Sequence, residues 1–394
     1  MNLEEDYCKK IMIIRIFTFF KKETVLCAAF VLAALSMFAV PPDGSYLQYI
    51  DYRTLAILFC LMSVMAGLQK IGVFQWTAKR LLLRVKNGRG LFLTLVLLCF
   101  FSSMFITNDV TLITFVPFTF TVFNLLGTKL RKRLLLPVVA MQTIAANLGS
   151  MLTPIGNPQN LYLYGKAGFS FTDFVWLMLP YTLLALLMLL ACSLLLGKIG
   201  RLSLRFRHSS TVTSTLHKKE TSRLLAIYLA LFLLCLLTVG HILPWQLVLV
   251  FVLMVMFVTD RQVLRQVDYS LLLTFVGFFI FIGNVGRIPA FCDFLQNIIA
   301  GREVYTAVIA SQVISNVPAA LLLSGFTDNY AGLIIGTNLG GLGTLIASMA
   351  SLISYKQVAK EAASYKGKYV ILFTFSNICF LAALILLNIG GALW

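Results

Sequence analysis

Asn147-Leu148-Gly149-Ser150-Met151-Leu152-Thr153-Pro154-Ile155-Gly156-Asn157-Pro158 interrupts an apolar stretch, 134–166, otherwise long enough to cross a bilayer. Two Gly, two Pro and two Asn within it predict that no continuous helix runs through. Unwound backbone at membrane depth is tolerated only where it lines a cavity or is buried in protein. A second interruption, Asn338-Leu339-Gly340-Gly341-Leu342-Gly343-Thr344, breaks a later apolar stretch. Residues 147–164 lie against 338–355 without a gap, with identities at Asn147/Asn338, Leu148/Leu339, Gly149/Gly340, Thr153/Thr344, Ile155/Ile346, Leu161/Leu352 and Tyr164/Tyr355. Leu and Ile matches are cheap in so apolar a chain; the Asn-Leu-Gly and Thr matches are not. The chain therefore reads as an internal repeat.

Around these breaks the composition is that of a membrane protein. Of 394 residues, 59% are hydrophobic and 12% charged, and the mean hydropathy is +0.90. A soluble domain of this size carries about twice that charge. The net charge of +17 comes from bases grouped in short loops, at 79–89, 129–133, 198–223 and 356–368. This is the positive-inside pattern of cytoplasmic loops, and it removes the case for nucleic-acid binding. Eight single cysteines without a CxxC and three scattered histidines argue against a disulfide framework and a transition-metal site. The alternation of bases and apolars up to Lys22, then a span at 25–40 ending in Pro41-Pro42, reads as a retained first span with a cytoplasmic N-terminus.

The spans set out from this order give an all-α polytopic membrane protein. It has about 10 transmembrane helices, two re-entrant helical hairpins, and inverted-topology repeats with two broken helices. Residues 1–197 form the first repeat with its N-terminal span, 198–223 a basic cytoplasmic linker, and 224–394 a linking span and the second repeat. In the first repeat, apolar limbs at 91–106 and 111–126 flank Thr107-Asn108-Asp109-Val110, with bases on both sides. Each limb spans about 24 Å, short for ~30 Å of hydrocarbon, which favours a hairpin re-entering on the basic side over two full spans. In the second repeat, limbs at 304–314 and 319–326 flank Ser315-Asn316-Val317-Pro318 and open to the other side. Residues 73–89 and 287–303 read as interfacial amphipathic helices.

Inverted repeats place their ligand near the midplane, where broken helices end. The candidate site is therefore Thr107, Asn108, Asp109, Thr111, Asn147, Gly149, Thr153, Gly156, Asn157, Ser315, Asn316, Asn338, Gly340 and Thr344. Asp109 alone among the acids sits deep in an apolar stretch; it would hold Na⁺ or carry a proton, or else cap the hairpin helix. Asn108 and Asn316 could serve a cation or a carboxylate, or simply shape a turn. Thr153 and Thr344 could bind a ligand or back-bond to their helix. Candidate Na⁺ positions are Asn108, Asp109 and Gly149 in one repeat and Asn316 and Gly340 in the other. No cofactor is expected beyond a coupling Na⁺ or H⁺. There is no GxxxxGK[ST] and no HExxH, so neither an ATP-driven pump nor a metal-dependent membrane enzyme is indicated.

At these residues the chain resembles the ion transporter superfamily of citrate-transporter-like permeases, divalent anion/sodium symporters, arsenite permeases and some sodium/proton antiporters. The stretch Asn147 to Asn160 is similar to that group's N-x-G-x-x-x-T-x-I-G-x-P-x-N, and the two tips resemble its Ser-Asn-Thr tips. The resemblance implies a scaffold with a moving transport domain, elevator-type exchange, a homodimer in the cell membrane, and a small anionic solute, a carboxylate above all. Asp109 and Val317 stand where the symporters have Thr. This departure favours arsenite-permease or antiporter chemistry at that position, and a Na⁺/H⁺ antiporter using Asp109 or an oxyanion permease are the alternatives. A membrane-embedded enzyme or a non-transporting scaffold would show no solute flux.

Overall fold

The computed structural model describes residues 23–85, 87–126, 128–196 and 219–390. The basic N-terminal segment and most of the 198–223 linker lie outside the described residues. Every regular element of the described chain is helical. The helices fall into two packed groups.

The first group contains α1 (Thr24–Ala39), the short α2 (Tyr46–Tyr49), α3 (Tyr52–Lys70), α10 (Lys219–Val239), α11 (Trp245–Thr259), the short α12 (Arg261–Leu264) and α13 (Tyr269–Val285). Small residues bring α1 and α13 together: a Cβ on Gly277 would lie 3.0 Å from the Cβ of Ala29. With lipid outside, close backbone approach replaces hydrophobic exclusion as the packing force. Asn284 of α13 adds bonds to Ser36 Oγ (2.9 Å) and the Tyr46 hydroxyl (2.8 Å). The contact between α1 and α13 is echoed by that between α11 and α3. A repeat matching α1 to α11 and α3 to α13 produces this pairing.

The second group holds both hairpins and both broken spans. Hairpin one is α5 (Gly88–Ser102) and α6 (Asn108–Leu125), followed by the broken span α7 (Thr128–Ser150) and α8 (Pro158–Ala167), then α9 (Phe171–Leu196). Hairpin two is α15 (Glu303–Ile314) and α16 (Asn316–Leu323), followed by α17 (Tyr330–Gly340) and α18 (Met349–Glu361), then α19 (Lys366–Gly390). An eight-residue α16 rises only about 12 Å, so hairpin two cannot be a pair of full spans. Gln142 of α7 ties hairpin one together, accepting from Thr119 Oγ1 (3.0 Å) and donating to the Leu95 carbonyl (3.4 Å). Two amphipathic helices, α4 (Val73–Leu82) and α14 (Pro289–Ile299), precede the hairpins. α14 turns through 107° from α13, as an interfacial helix must.

Among the described residues, four helices are individually long and apolar enough to span a membrane: those at 52–70, 171–194, 222–239 and 363–390. The bent pair α13 and α14 adds a further candidate, and α1, α5, α11 and α15 are shorter apolar helices. Their outward faces are apolar too, with Phe38, Leu187, Val258 and Ile371 exposed. Helices apolar all round need lipid rather than water outside. Side-chain bonds sort the loops into two faces. Lys70 pairs with Asp260 (2.5 Å) and Arg131 reaches the Glu361 carbonyl (3.5 Å) on the basic face. Arg287 pairs with Asp43 (2.7 Å) and Arg53 meets His241 (3.2 Å) on the opposite face. Ser45 and then Arg287 hold the Asp43 carboxyl below its usual range.

The breaks begin later than the sequence suggests. α7 continues through Asn147, Leu148 and Gly149 to Ser150, and the unwound segment is 151–157. α17 continues to Gly340, and its unwound segment, 341–348, reaches past Thr344. Close packing at Gly149 and Gly340 keeps these glycines helical. A Cβ at 149 would stand 2.0 Å from the Phe100 carbonyl oxygen, and one at 340 would stand 2.6 Å from Ser311 Oγ.

Candidate functional site

Each hairpin tip is fastened to the break beside it, and the fastenings are equivalent. The Asn108 amide N–H donates to the Gly156 carbonyl (3.2 Å), and the Asn316 amide N–H donates to the Ala347 carbonyl (3.0 Å). Positions 156 and 347 are paired in the gapless alignment of the repeats. Thr153 Oγ1 donates to the Met104 carbonyl (2.6 Å), and Thr344 Oγ1 donates to the Gln312 carbonyl (3.3 Å). Gly149 abuts Ser103 as Gly340 abuts Ser311. These contacts extend the equivalence along the hairpins: Ser103, Ile106, Thr107 and Asn108 match Ser311, Ile314, Ser315 and Asn316. The repeat is thus written in hydrogen bonds as well as in residues.

The two tips differ in how they turn. Thr107 is extended and its hydroxyl accepts from the Val110 N–H (3.4 Å), so it caps α6. Ser315 has φ 73° and ψ 156°, a region that side chains other than glycine's rarely adopt. The strain falls where the tip must reverse within a single residue. Gln312 is the second tip's own device. Its Nε2 donates to the Gly340 (3.0 Å) and Leu342 (2.9 Å) carbonyls, and its Oε1 accepts from the Thr344 N–H (3.0 Å). Met104, at the matching place, can do none of this.

Between the junctions the repeats share a buried polar network. Asn108 Nδ2 donates to Asn147 Oδ1 (2.9 Å), which also accepts from Ser348 Oγ (3.1 Å). Asn147 Nδ2 faces Ser351 Oγ (3.4 Å), and Asn338 Nδ2 donates to Asn160 Oδ1 (2.7 Å). The last two bonds are again a matched pair, because 147 aligns with 338 and 160 with 351. Asn157 Nδ2 donates to Ser150 Oγ (2.7 Å). Around this network several polar atoms are buried without a hydrogen-bond partner: Asp109 Oδ1, Thr111 Oγ1, both amide atoms of Gln159, and Asn338 Oδ1. Buried polar atoms are rarely left unpaired, and orphans grouped at helix breaks are where an ion, water or solute would complete the bonding.

Nearly all the residues read from the sequence lie in or beside this core. Gly149, Gly156 and Gly340 serve close packing; a Cβ at 156 would stand 2.1 Å from the Ser150 carbonyl oxygen. Thr153 is buried, whereas Thr344 is exposed and held by Gln312. Gln312, Ser348 and Ser351 also join this core and carry no mark in the sequence motifs, and Asn160, the last residue of the 147–160 stretch, joins it too. The alignment did pair 160 with 351, and two hydrogen-bonding side chains at matched positions were a usable signal. Among the described residues no group of three His, Cys, Asp or Glu side chains could hold a metal.

The tips and breaks together contain no Lys or Arg and one carboxylate, Asp109. Four helices, α6, α8, α16 and α18, begin at them and turn their positive dipole ends to the tips and breaks, although the Asn108, Asp109, Val110 and Asn316 N–H groups are already bonded within the protein. That arrangement accommodates negative charge without a basic side chain.

Comparison with known proteins agrees with this architecture. Residues 12–332 match the citrate transporter family. The chain is 32% identical to the inner membrane protein YbiR of Escherichia coli over 331 residues, 82% of this chain and 84% of that protein. It is 31% identical to an uncharacterized transporter of Methanocaldococcus jannaschii over 309 residues, 78% and 81% of the respective chains. A 46 kDa membrane protein of Mycobacterium leprae is 24% identical over 356 residues, 79% of this chain and 80% of that one. The family match over residues 12–332 and these relatives make this multi-pass membrane protein a secondary transporter of anions, not an enzyme, and the chain belongs to the citrate transporter family.

Proposed function

We propose that the protein carries a small carboxylate anion across the membrane, coupled to Na⁺ or H⁺, by an elevator movement of the second helix group against the first. The observation that carries this reading is the pair of equivalent tip–break junctions with one carboxylate and no base between them. Helix N-termini supply only partial positive charge. An anion entering beside Asp109 would face like charge unless a cation or proton came with it. Cotransport answers that need, with Asp109 as the coupling group. Asn108, Asn316 and the unpaired atoms of Thr111 and Gln159 are the neutral ligands.

Support for the elevator comes from how unevenly the groups meet. α8 packs on α3 and α16 packs on α13, both toward the face bearing Arg287 and Asp43. Tyr162 lies 5.6 Å from Phe279 and 6.3 Å from Phe275, ring to ring. A seal of aromatic rings toward one face suits a state open to the other. A homodimer in the cell membrane, with a cytoplasmic N-terminus, is part of the proposal.

The test is flux through purified protein in liposomes after jumps of citrate, succinate, malate, Na⁺ and pH. Carboxylate-triggered current or uptake that depends on a Na⁺ or proton gradient supports the reading. The second reading, Na⁺/H⁺ exchange, rests on the unpaired Oδ1 of Asp109. It predicts silence to carboxylates and internal pH changes after Na⁺ jumps, abolished by Asp109→Asn.

A further inference from the structure

On the basic face, well away from the tips, a cavity of about 450 Å³ opens between the start of α7 and the turn that joins α18 to α19. Arg131 and Lys132 line it, with Leu135 and Leu136 one turn deeper, and Ser364 and Tyr365 on the opposite wall. In sequence these are two separate basic clusters, 129–133 and 356–368, each satisfied by the positive-inside rule alone. The fold sets Arg131 and Lys132 of the first against residues 361–365 of the second, which add no base to the wall. Arg131 spends one donor on the Glu361 carbonyl, at a long 3.5 Å, and among the described residues neither Arg131 nor Lys132 has a carboxylate within ion-pair distance. Glu361 is the single acid on the wall, and it is exposed. Lys132 is exposed and Leu135 buried, so polarity falls along α7 from the cavity mouth inward.

We propose that this cavity binds an anionic phospholipid, with the phosphodiester on Arg131 and Lys132 and an acyl chain along Leu135 and Leu136. Charge complementarity selects the headgroup, because a phosphate takes charged hydrogen bonds from a guanidinium and an ammonium together. The apolar floor selects a lipid over a soluble phosphate, which would leave the half-buried Leu136 wet. The lipid would bridge α7 of the first repeat and the α18–α19 turn of the second, within the same helix group.

The experiment is lipid retention by the purified full-length protein, read by native mass spectrometry after exposure to mixed phosphatidylglycerol and phosphatidylcholine. Wild type should retain phosphatidylglycerol selectively. Arg131→Gln combined with Lys132→Gln should weaken retention about tenfold or more, since each base near an anionic membrane contributes on the order of a fivefold factor. Lys368→Gln, a basic-face change outside the cavity lining, should leave it unchanged. Lys132 is exposed, so Lys132→Glu keeps the test open if the double variant folds poorly, and it too should lower retention. Equal retention by folded variants and wild type would overturn the proposal, as would equal retention of phosphatidylcholine. Displacement of the lipid by millimolar inorganic phosphate would assign the cavity to a soluble anion and reject the lipid.

Discussion

Asp109 and the three packing glycines set the behaviour of single residues. Asp109→Asn removes the carboxylate and keeps the shape. In the proposed symport, gradient-driven accumulation of the anion should fall at least about tenfold, while slow downhill exchange persists; counterflow in liposomes distinguishes the two. Asp109→Glu should restore part of the coupling. Gly149→Ala drives a Cβ to within 2.0 Å of the Phe100 carbonyl oxygen, in a helix that cannot shift without opening hairpin one. Its melting temperature in detergent should fall well below wild type, reflecting roughly 1–3 kcal/mol or more of overpacking. Gly168→Ala is a contrast, since only its φ of 63° opposes a side chain and nothing lies nearby. It should cost no more than about 1–2 kcal/mol.

At the level of elements, the tip–break junctions should not be equally strong. Thr153 makes a 2.6 Å bond in a buried setting, and its loss leaves the Met104 carbonyl without that donor. Thr344 makes a 3.3 Å bond in an exposed one, and Gln312 holds the same segment by three further bonds. Thr153→Val should therefore destabilise by about 1–2 kcal/mol, and Thr344→Val by less, as measured by thermal unfolding. Gln312→Met, which makes the second junction resemble the first, should make Thr344→Val as costly as Thr153→Val. A double-mutant cycle on 312 and 344 checks this. The element boundaries were legible in the Pro and Gly positions: Pro158 opens α8 and Gly168 closes it in a left-handed turn. The start of each break was not, because Gly149 and Gly340 are weak helix formers that close packing holds in the helix.

For the whole molecule, the contact between the two helix groups is the decisive feature. Cysteines at 162 and 279, joined by a short bifunctional reagent in a background lacking the native cysteines, should stop transport reversibly if the groups must slide past each other. Unimpaired flux in the cross-linked protein would rule out the elevator. On the same face, His241 sits in a left-handed turn at φ 61°, its ring 5.6 Å from Tyr164 of the other group. Arg53 donates to its Nε2, so that nitrogen must be an unprotonated acceptor. Burial and Arg53 both push the His241 pKa below its ordinary value. The unfolded chain then takes up a proton before the folded one does as pH falls through about 6.5. Stability supplied by this contact is present above that pH and is lost below it. His241→Asn should flatten the acid side of the melting profile.

The sequence by itself determined that this is a helical membrane protein and that two of its apolar stretches are broken helices. Those properties are local: hydropathy over about twenty residues, Gly and Pro within one turn, charge in short loops. They also placed Asn108, Asp109 and Asn316 at the tips. Only the tertiary structure decided which residues face one another across the repeats. Asn147 meets Ser351 over a separation of 204 residues, and Asn338 meets Asn160 over 178. It made Gln312 a brace for the second junction, left Thr344 exposed, and set Arg131 and Lys132 against the distant 361–365 turn around one cavity. No local pattern encodes such pairings, because each depends on the direction of a side chain after two separately folded hairpins have packed on each other's broken helices.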